Sequence, residues 1–220
     1  MFWQENINEE AFTIPENIID ISFQISSKIL PIDHSELLKN SLCDTLNCSL
    51  GGLAIFGIGV ADGNGWEQDK NGYFYPSNRT KLTIRLKKEL KESVMLLLGK
   101  TLEMGNYQVK ITKFKAEKKL SKSSIIFSKM IVSSEKTEDK FLQKCFDEIK
   151  GLGIIPKKMM AGLERQITID SKKITTRSLM IADLSKQDSV TIQENGLGEF
   201  QLFGCGIFSP QKGIESVDAV

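Results

Sequence analysis

Apolar and polar residues alternate with a period of two through "IIDISFQISSKILP", which predicts a β-strand over roughly Ile18 to Ile29. The period then lengthens. In "DHSELLKNSLCDTLN", Leu37, Leu38, Ser41, Leu42, Thr45 and Leu46 fall on one helical stripe. Asp33 followed by Glu36 resembles a capping box with Asp in the Ser/Thr place. "LAIFGIGVADGNGW" reads as a strand entering a glycine-rich loop, and "TKLTIRLKKEL" as a strand leading into the helix "KKELKESVMLLLGK". "YQVKITKFKAEKK" closes the unit as a strand, giving the order β-α-β-β-α-β.

The order then repeats. "SSIIFSKMIVSS" alternates as a strand, and "TEDKFLQKCFDEIKGLG" is a helix ended by Gly151 or Gly153. "KKMMAGLERQITID" and "KKITTRSLMIADL" form a hairpin about Asp170–Lys173. "SKQDSVTIQENG" is a helix from Ser185 to Gly196, and "FGCGIFSPQKG" is the last strand. Two split βαβ units predict an α+β fold of tandem ferredoxin-like (βαββαβ) domains, antiparallel sheets with helices on one face. The expected boundaries are an acidic N-terminal lead over 1–16, a first domain over 17–117, and a second over 118–220 that carries a C-terminal glycine-rich loop. The lysine-rich "AEKKLSKS" serves as linker.

Charge sharpens this picture. The net charge is only +1, but five acids and no Lys or Arg lie between Met1 and Asp20. From Ser77 to Lys122 there are thirteen basic residues against four acidic ones, a local field able to attract a polyanion. The alternative for such a run is a solvated helix face plus a lysine-rich linker. No apolar run approaches the ~20 residues of a membrane span, and no basic leader is visible, so a cytoplasmic protein is expected. Cys43, Cys48, Cys145 and Cys205 are too scattered for a zinc quartet and read as reduced thiols. With His34 the one histidine and no cluster of ligands, neither a metal site nor a cofactor is expected.

The chain places Gly196, Gly198, Gly204 and Gly206 as two G-x-G pairs. A dinucleotide loop or P-loop needs a long helix and further βα units after the glycines, for which the segment beyond Gly206, containing Pro210, has no room. Two readings stay open: a backbone nest for phosphate with Lys212 beside it, or glycines that permit tight helix–strand packing.

Gly196-Leu-Gly198, five residues, then Gly204-Cys-Gly206 resembles the G-h-G-x5-G-h-G loop of the repeat-associated RAMP superfamily. "MFWQE", "LPIDHSELL", "GNGW", "RTKLTIRL", "TRSLMIADL" and "FGCGIFSPQKGI" extend the likeness to its CRISPR repeat-cleaving endoribonucleases, and more closely to their MYXAN subtype. Two positions depart from the subtype: the spacer "EFQLF" carries Glu199 and no cation, and Gln211 replaces a His in "PQKG". The resemblance implies a tandem ferredoxin-like fold. It implies metal-free cutting of precursor CRISPR RNA within each repeat, leaving 2′,3′-cyclic phosphate and 5′-hydroxyl ends, with the product kept for an interference complex of further subunits.

It also implies a site. "LPIDHSELL" puts His34 at the first position of the first helix, where the family has its catalytic histidine. Cleavage by a 2′-hydroxyl needs a base, an acid and positive charge at the phosphorane, and histidine can be base or acid near neutrality. Lys28, Lys39, Tyr73, Tyr75 and Lys212 are all candidate partners, with no basis for choosing among them. For RNA binding, Lys157, Lys158, Arg177 and Lys212 are expected from the second domain, with Arg79, Lys81 and Arg85 lining the cleft from the first. Two rivals remain: a catalytically inactive CRISPR RNA-binding subunit, and a metabolite-binding module with no RNA role.

Overall fold

A computed structural model describes residues 12–46, 51–59, 72–135 and 137–211. Strand β1 (Ile18–Ser26) buries Ile19, Ile21, Phe23 and Ile25, which sends Asp20, Ser22 and Gln24 to the opposite face. The other main elements of the first half are β2 (Leu30–Pro31), α1 (Ser35–Leu46), β3 (Leu53–Gly59), β4 (Tyr73–Phe74), β5 (Lys81–Lys87), α2 (Lys91–Met95), β6 (Thr101–Met104) and β7 (Tyr107–Lys119). They form a five-stranded antiparallel sheet in the order β3-β5-β1-β7-β6, with β2 and β4 as a separate ribbon. Leu38 and Leu42 of α1 and Val94 of α2 pack with Ile19, Ile21 and Phe23, so both helices lie on one face.

The second half contains β8 (Ile126–Val132), α3 (Glu138–Gly151), β9 (Lys158–Ile169), β10 (Lys172–Ala182), α4 (Lys186–Asn195) and β11 (Ser209–Pro210). Its sheet is antiparallel in the order β11-β8-β10-β9. Counted by their order in the four-strand pattern, both halves place the first strand between the third and fourth, with the second outside the third.

Local chemistry explains the boundaries. Asp170 and Ser171 both have positive φ (49° and 60°), the conformation of a tight two-residue hairpin turn. Ser185 caps α4 by accepting the Asp188 N–H at 3.0 Å, and Gly196, at φ 67°, stops it.

Four expectations are corrected. The first strand ends at Ser26, because Leu30–Pro31 turns away to pair with β4. "KKELKESVMLLLGK" yields a 3₁₀ turn (Lys88–Leu90) and the five-residue α2 rather than one long helix. It is followed by β6, which the pattern did not predict and which pairs with β7 around Gly105 (φ 64°). Residues 116–119, read both as the end of the strand "YQVKITKFKAEKK" and as the start of the linker, are strand and not linker: Ala116 pairs with Ser22 and Lys119 with Ile19. The last strand is limited to Ser209 and Pro210. "MFWQE", "GNGW" and Cys48 lie outside the described residues. Among the described residues, no helix is long and apolar enough to cross a membrane.

Two apolar cores serve the two halves, and a third cluster joins Phe203 and Cys205 to Ile167 and Ile169 of β9. Leu202, just before Phe203, packs against both the first core and this cluster. The glycines make that seam tight. Gly206 donates its N–H to the Met130 carbonyl at 2.6 Å, and its own carbonyl accepts from Leu197 N–H at 2.9 Å. A Cβ at Gly206 would overlap the Leu197 carbonyl, on a backbone already at φ 68°. Gly206→Ala should therefore lower stability by at least about 2 kcal/mol, read as a shifted urea midpoint. An unchanged midpoint would contradict this packing.

Candidate active site between the two halves

His34 stands immediately before α1, and its carbonyl accepts the Leu38 N–H at 2.9 Å, so it is the residue that caps the helix rather than its first member. The residue is only 5% exposed. Nδ1 lies 2.9 Å from the Pro31 carbonyl, which can only accept, so Nδ1 carries the proton. Nε2 accepts the Ile58 N–H at 3.2 Å, so the ring is the neutral Nδ1–H tautomer with its lone pair on Nε2. Phe74 lies against the ring at 5.6 Å between centroids. A bulge in β3, where the pairing slips between Ile55 and Gly57, turns this backbone toward the imidazole. Burial is the largest cause holding the His34 pKa below its ordinary 6.5; the Pro31 hydrogen bond and the Asp33 charge oppose it, and the Lys129 charge reinforces it.

The neighbours of His34 reach across the junction. Asp33 Oδ2 accepts the Thr168 N–H at 2.7 Å, and Glu36 Oε1 accepts the Asp170 N–H at 3.0 Å. The expected capping box is thus replaced by two bonds to the tip of the β9–β10 hairpin. Lys129 on β8 is solvent-exposed as a residue, yet its ammonium sits among enough protein for desolvation, then the Arg165 charge, to lower its pKa. The sequence reading missed both Lys129 and Arg165. The only signal was a lysine amid an alternating strand, since the coupling is set by how the two halves meet.

Arg85 is buried at the junction. It is 4% exposed, and its guanidinium donates to both oxygens of Asp20, at 2.7 and 2.9 Å. It also donates to the carbonyls of Gln193, at 2.7 Å, and Phe208, at 2.9 Å, and lies over the Phe56 ring. Arg85 ties the first sheet to the second half and forms part of the wall of a pocket between them, together with Ala54, Gln193 and Gly196.

The remaining basic residues are spread out. Arg79 is exposed in the turn before β5, and half-buried Lys81 pairs with Gly59, one residue beyond the strand pair that contains Ile58. The structure therefore brings Lys81 to the His34 end of the sheet. Register places Lys81, Lys113, Lys110 and Lys118 beside Gln24, Ser26 and Asp20, on the face opposite the helices. Lys157 is exposed, and Lys158 pairs with Asp183 at 2.7 Å. Lys158 lies ten strand residues from Thr168, roughly 33 Å of β-strand away from the His34 end. Arg177 pairs with Glu164 at 2.9 Å and approaches Glu138 at 4.0 Å. Lys212 lies outside the described residues.

Of the candidate proton partners, Lys39 lies over the Phe203 ring, and Tyr73 is hydrogen-bonded to Tyr107. The glycine loop lies between α4 and β11, and its amides are largely engaged. Gly196, Leu197, Gly204, Cys205 and Gly206 donate to the carbonyls of Ile192, Gly206, Gln201, Phe200 and Met130. These bonds favour the packing reading of the loop over a phosphate nest.

A family model described as Cas6 CRISPR matches residues 19–213. No curated protein matches the sequence. Among solved structures, a Cas6-related protein from Pyrococcus furiosus is 15% identical, with a TM-score of 0.59 over 88% of this chain and 97% of that one. A CRISPR associated protein Cas6 gives 13% identity and a TM-score of 0.60 over 89% and 99%. A RAMP protein described as binding different RNA substrates gives 12% and 0.59 over 90% and 100%. At such identities these likenesses speak to the fold.

Two outcomes follow. Arg85→Ala strands the Asp20 carboxylate and should cost about 3–5 kcal/mol in urea unfolding; a cost below about 1 kcal/mol would show that the clamp holds little. Because the folded pKa of His34 is depressed, the unfolded chain binds more protons below pH 6.5. Stability should therefore fall as pH drops below that value, and fall less in His34→Asn; equal falls would exclude His34 as the cause.

Proposed function

Because the chain belongs to the Cas6 family, whose members are CRISPR RNA-processing endoribonucleases, we propose that it cuts precursor CRISPR RNA within the repeat, without metal, leaving 2′,3′-cyclic phosphate and 5′-hydroxyl ends. The observation that carries this reading is the state of His34: a neutral imidazole with its lone pair on Nε2, at the seam between two sheets. Nε2 takes the proton of a ribose 2′-hydroxyl, the freed oxygen attacks the adjacent phosphorus, the P–O5′ bond breaks, and the 5′-oxygen takes a proton from water. Lys129, whose charge already acts on the imidazole, stabilises the negative phosphorane. Nε2 must first give up its Ile58 partner, a single bond at the long end of the normal range.

The repeat runs over the lysine-bearing face of the first sheet. Lys81 and Arg79 contact it near His34, and Lys157, Lys158, Arg177 and Lys212 hold its more distant parts. The shared strand order of the two halves supports tandem ferredoxin-like domains, and the ordered motif matches support the MYXAN subtype. The product stays bound for an interference complex, in the cytoplasm. A second reading, an inactive CRISPR RNA-binding subunit, is favoured by the engagement of both His34 nitrogens in the free chain.

Incubating repeat RNA with the protein in EDTA separates the two, since only the enzyme yields cyclic-phosphate ends. His34→Ala should slow single-turnover cleavage by about 100-fold while repeat affinity changes little. Cleavage by His34→Ala at the wild-type rate would remove the imidazole from the chemistry. Repeat affinity should also fall steeply between low and high salt, and a flat dependence would contradict the lysine-lined path.

A further inference from the structure

Two of the polar ties between the halves differ in kind. Around Arg85 the tie is buried and its Asp20 pair is bidentate. At the other end it consists of Asp33 and Glu36, reaching from beside His34 to the amides of Thr168 and Asp170 through bonds open to solvent. β9 is the edge strand of its sheet, so alternate amides along it point away from β10 and have no strand partner there. Thr168 and Asp170 are two residues apart, the spacing of such outward amides. The carboxylates therefore cover the end of an exposed edge, and they do so on either side of His34 in the sequence.

The same hairpin is coupled to Lys129, whose charge acts on the imidazole, and to Arg165, whose charge acts on Lys129. Arg165 lies on β9, three residues before Thr168, and Lys129 lies on β8, which pairs with β10. Ile167 and Ile169 anchor the tip in the cluster with Phe203 and Cys205, so sliding the hairpin along α1 carries the sheet with it. Resting on the nuclease reading above, we propose that Asp33 and Glu36 are positioning residues: they latch the β9–β10 hairpin to the start of α1 and set where Lys129 and Arg165 stand relative to His34.

The latch needs an acceptor oxygen and not a charge. Asp33→Asn/Glu36→Gln keeps the acceptors, whereas Asp33→Ala/Glu36→Ala removes them, and the two variants have the same net charge. The comparison matters because the Asp33 charge itself raises the His34 pKa while Lys129 lowers it. Pro31, Ile58 and Phe74 contribute only a carbonyl, an amide and a ring to the imidazole.

Relative to the amide pair, the alanine pair should exchange the Thr168 and Asp170 amide protons at least ~10-fold faster. As the sole histidine, His34 can be titrated by NMR without ambiguity. Its pKa should be higher in the alanine pair by about half a pH unit, as Lys129 moves off and water enters. Single-turnover cleavage of saturating repeat RNA should be ~10-fold slower in the alanine pair, with affinity kept and with the amide pair close to wild type. Where the alanine pair does not fold, Glu36→Ala against Glu36→Gln carries the same comparison. Equal exchange and equal His34 titration in the two pairs would overturn the latch, as would slow cleavage shared by both. A wild-type chain that cuts no repeat RNA would end the nuclease reading, and exchange and titration would still decide the latch.

Discussion

A guanidinium sealed between two sheets governs how this chain is assembled. Burying the guanidinium of Arg85 demands that its donors find acceptors. Asp20 supplies a bidentate partner from β1, and the carbonyls of Gln193 and Phe208 supply the rest from the second half. Those carbonyls belong to the end of α4 and the approach to β11, so the group that neutralises the first sheet also fixes the second against it. Separating the halves would expose the pair to water but strand no charge in apolar surroundings. Removing Asp20 alone would, and that makes the geometry selective.

The glycine loop follows from this closeness. Gly204 lies against the carbonyls of Ile55 and Phe56, and a Cβ there would stand 3.4 Å from the Ile55 oxygen and 3.2 Å from the Met130 methyl. The residues it crowds adjoin the β3 bulge that turns the Ile58 amide toward His34. The loop thus acts on the site through shape: it lets β8 and β3 approach until a lysine on one half acts on the histidine of the other. Chemistry at such a seam can use groups from both sheets while each sheet keeps its own core.

Much of the architecture could be read from periodicity. The β1 and β7 alternations, the Ser185 cap and the hairpin at Asp170 are local signals, and local physics decided them. What failed depended on partners distant in sequence. "KKELKESVMLLLGK" has helix formers throughout, but Gly99 and the pairing of β6 with β7 claim its end. Ala116 to Lys119 could be read as strand end or as linker from the sequence, and the ladder that β1 offers them decides for strand. Arg85 reads as one basic residue among thirteen, and nothing near it in sequence announces Asp20, 65 residues away. His34 was singled out through its motif, whereas its burial, its tautomer and its coupling to Lys129 arise only when the halves meet.

The central claim is that this imidazole meets the RNA at the seam. The most direct measurement is a structure of the wild-type protein with a repeat RNA lacking the 2′-hydroxyl at the cleavage site, so that the strand is held uncut. The account predicts His34 Nε2 released from the Ile58 amide and within hydrogen-bond reach, about 3 Å, of where the missing oxygen would stand, with Lys129 beside the phosphate. A repeat bound elsewhere, with the ring still between Pro31 and Ile58, would contradict it.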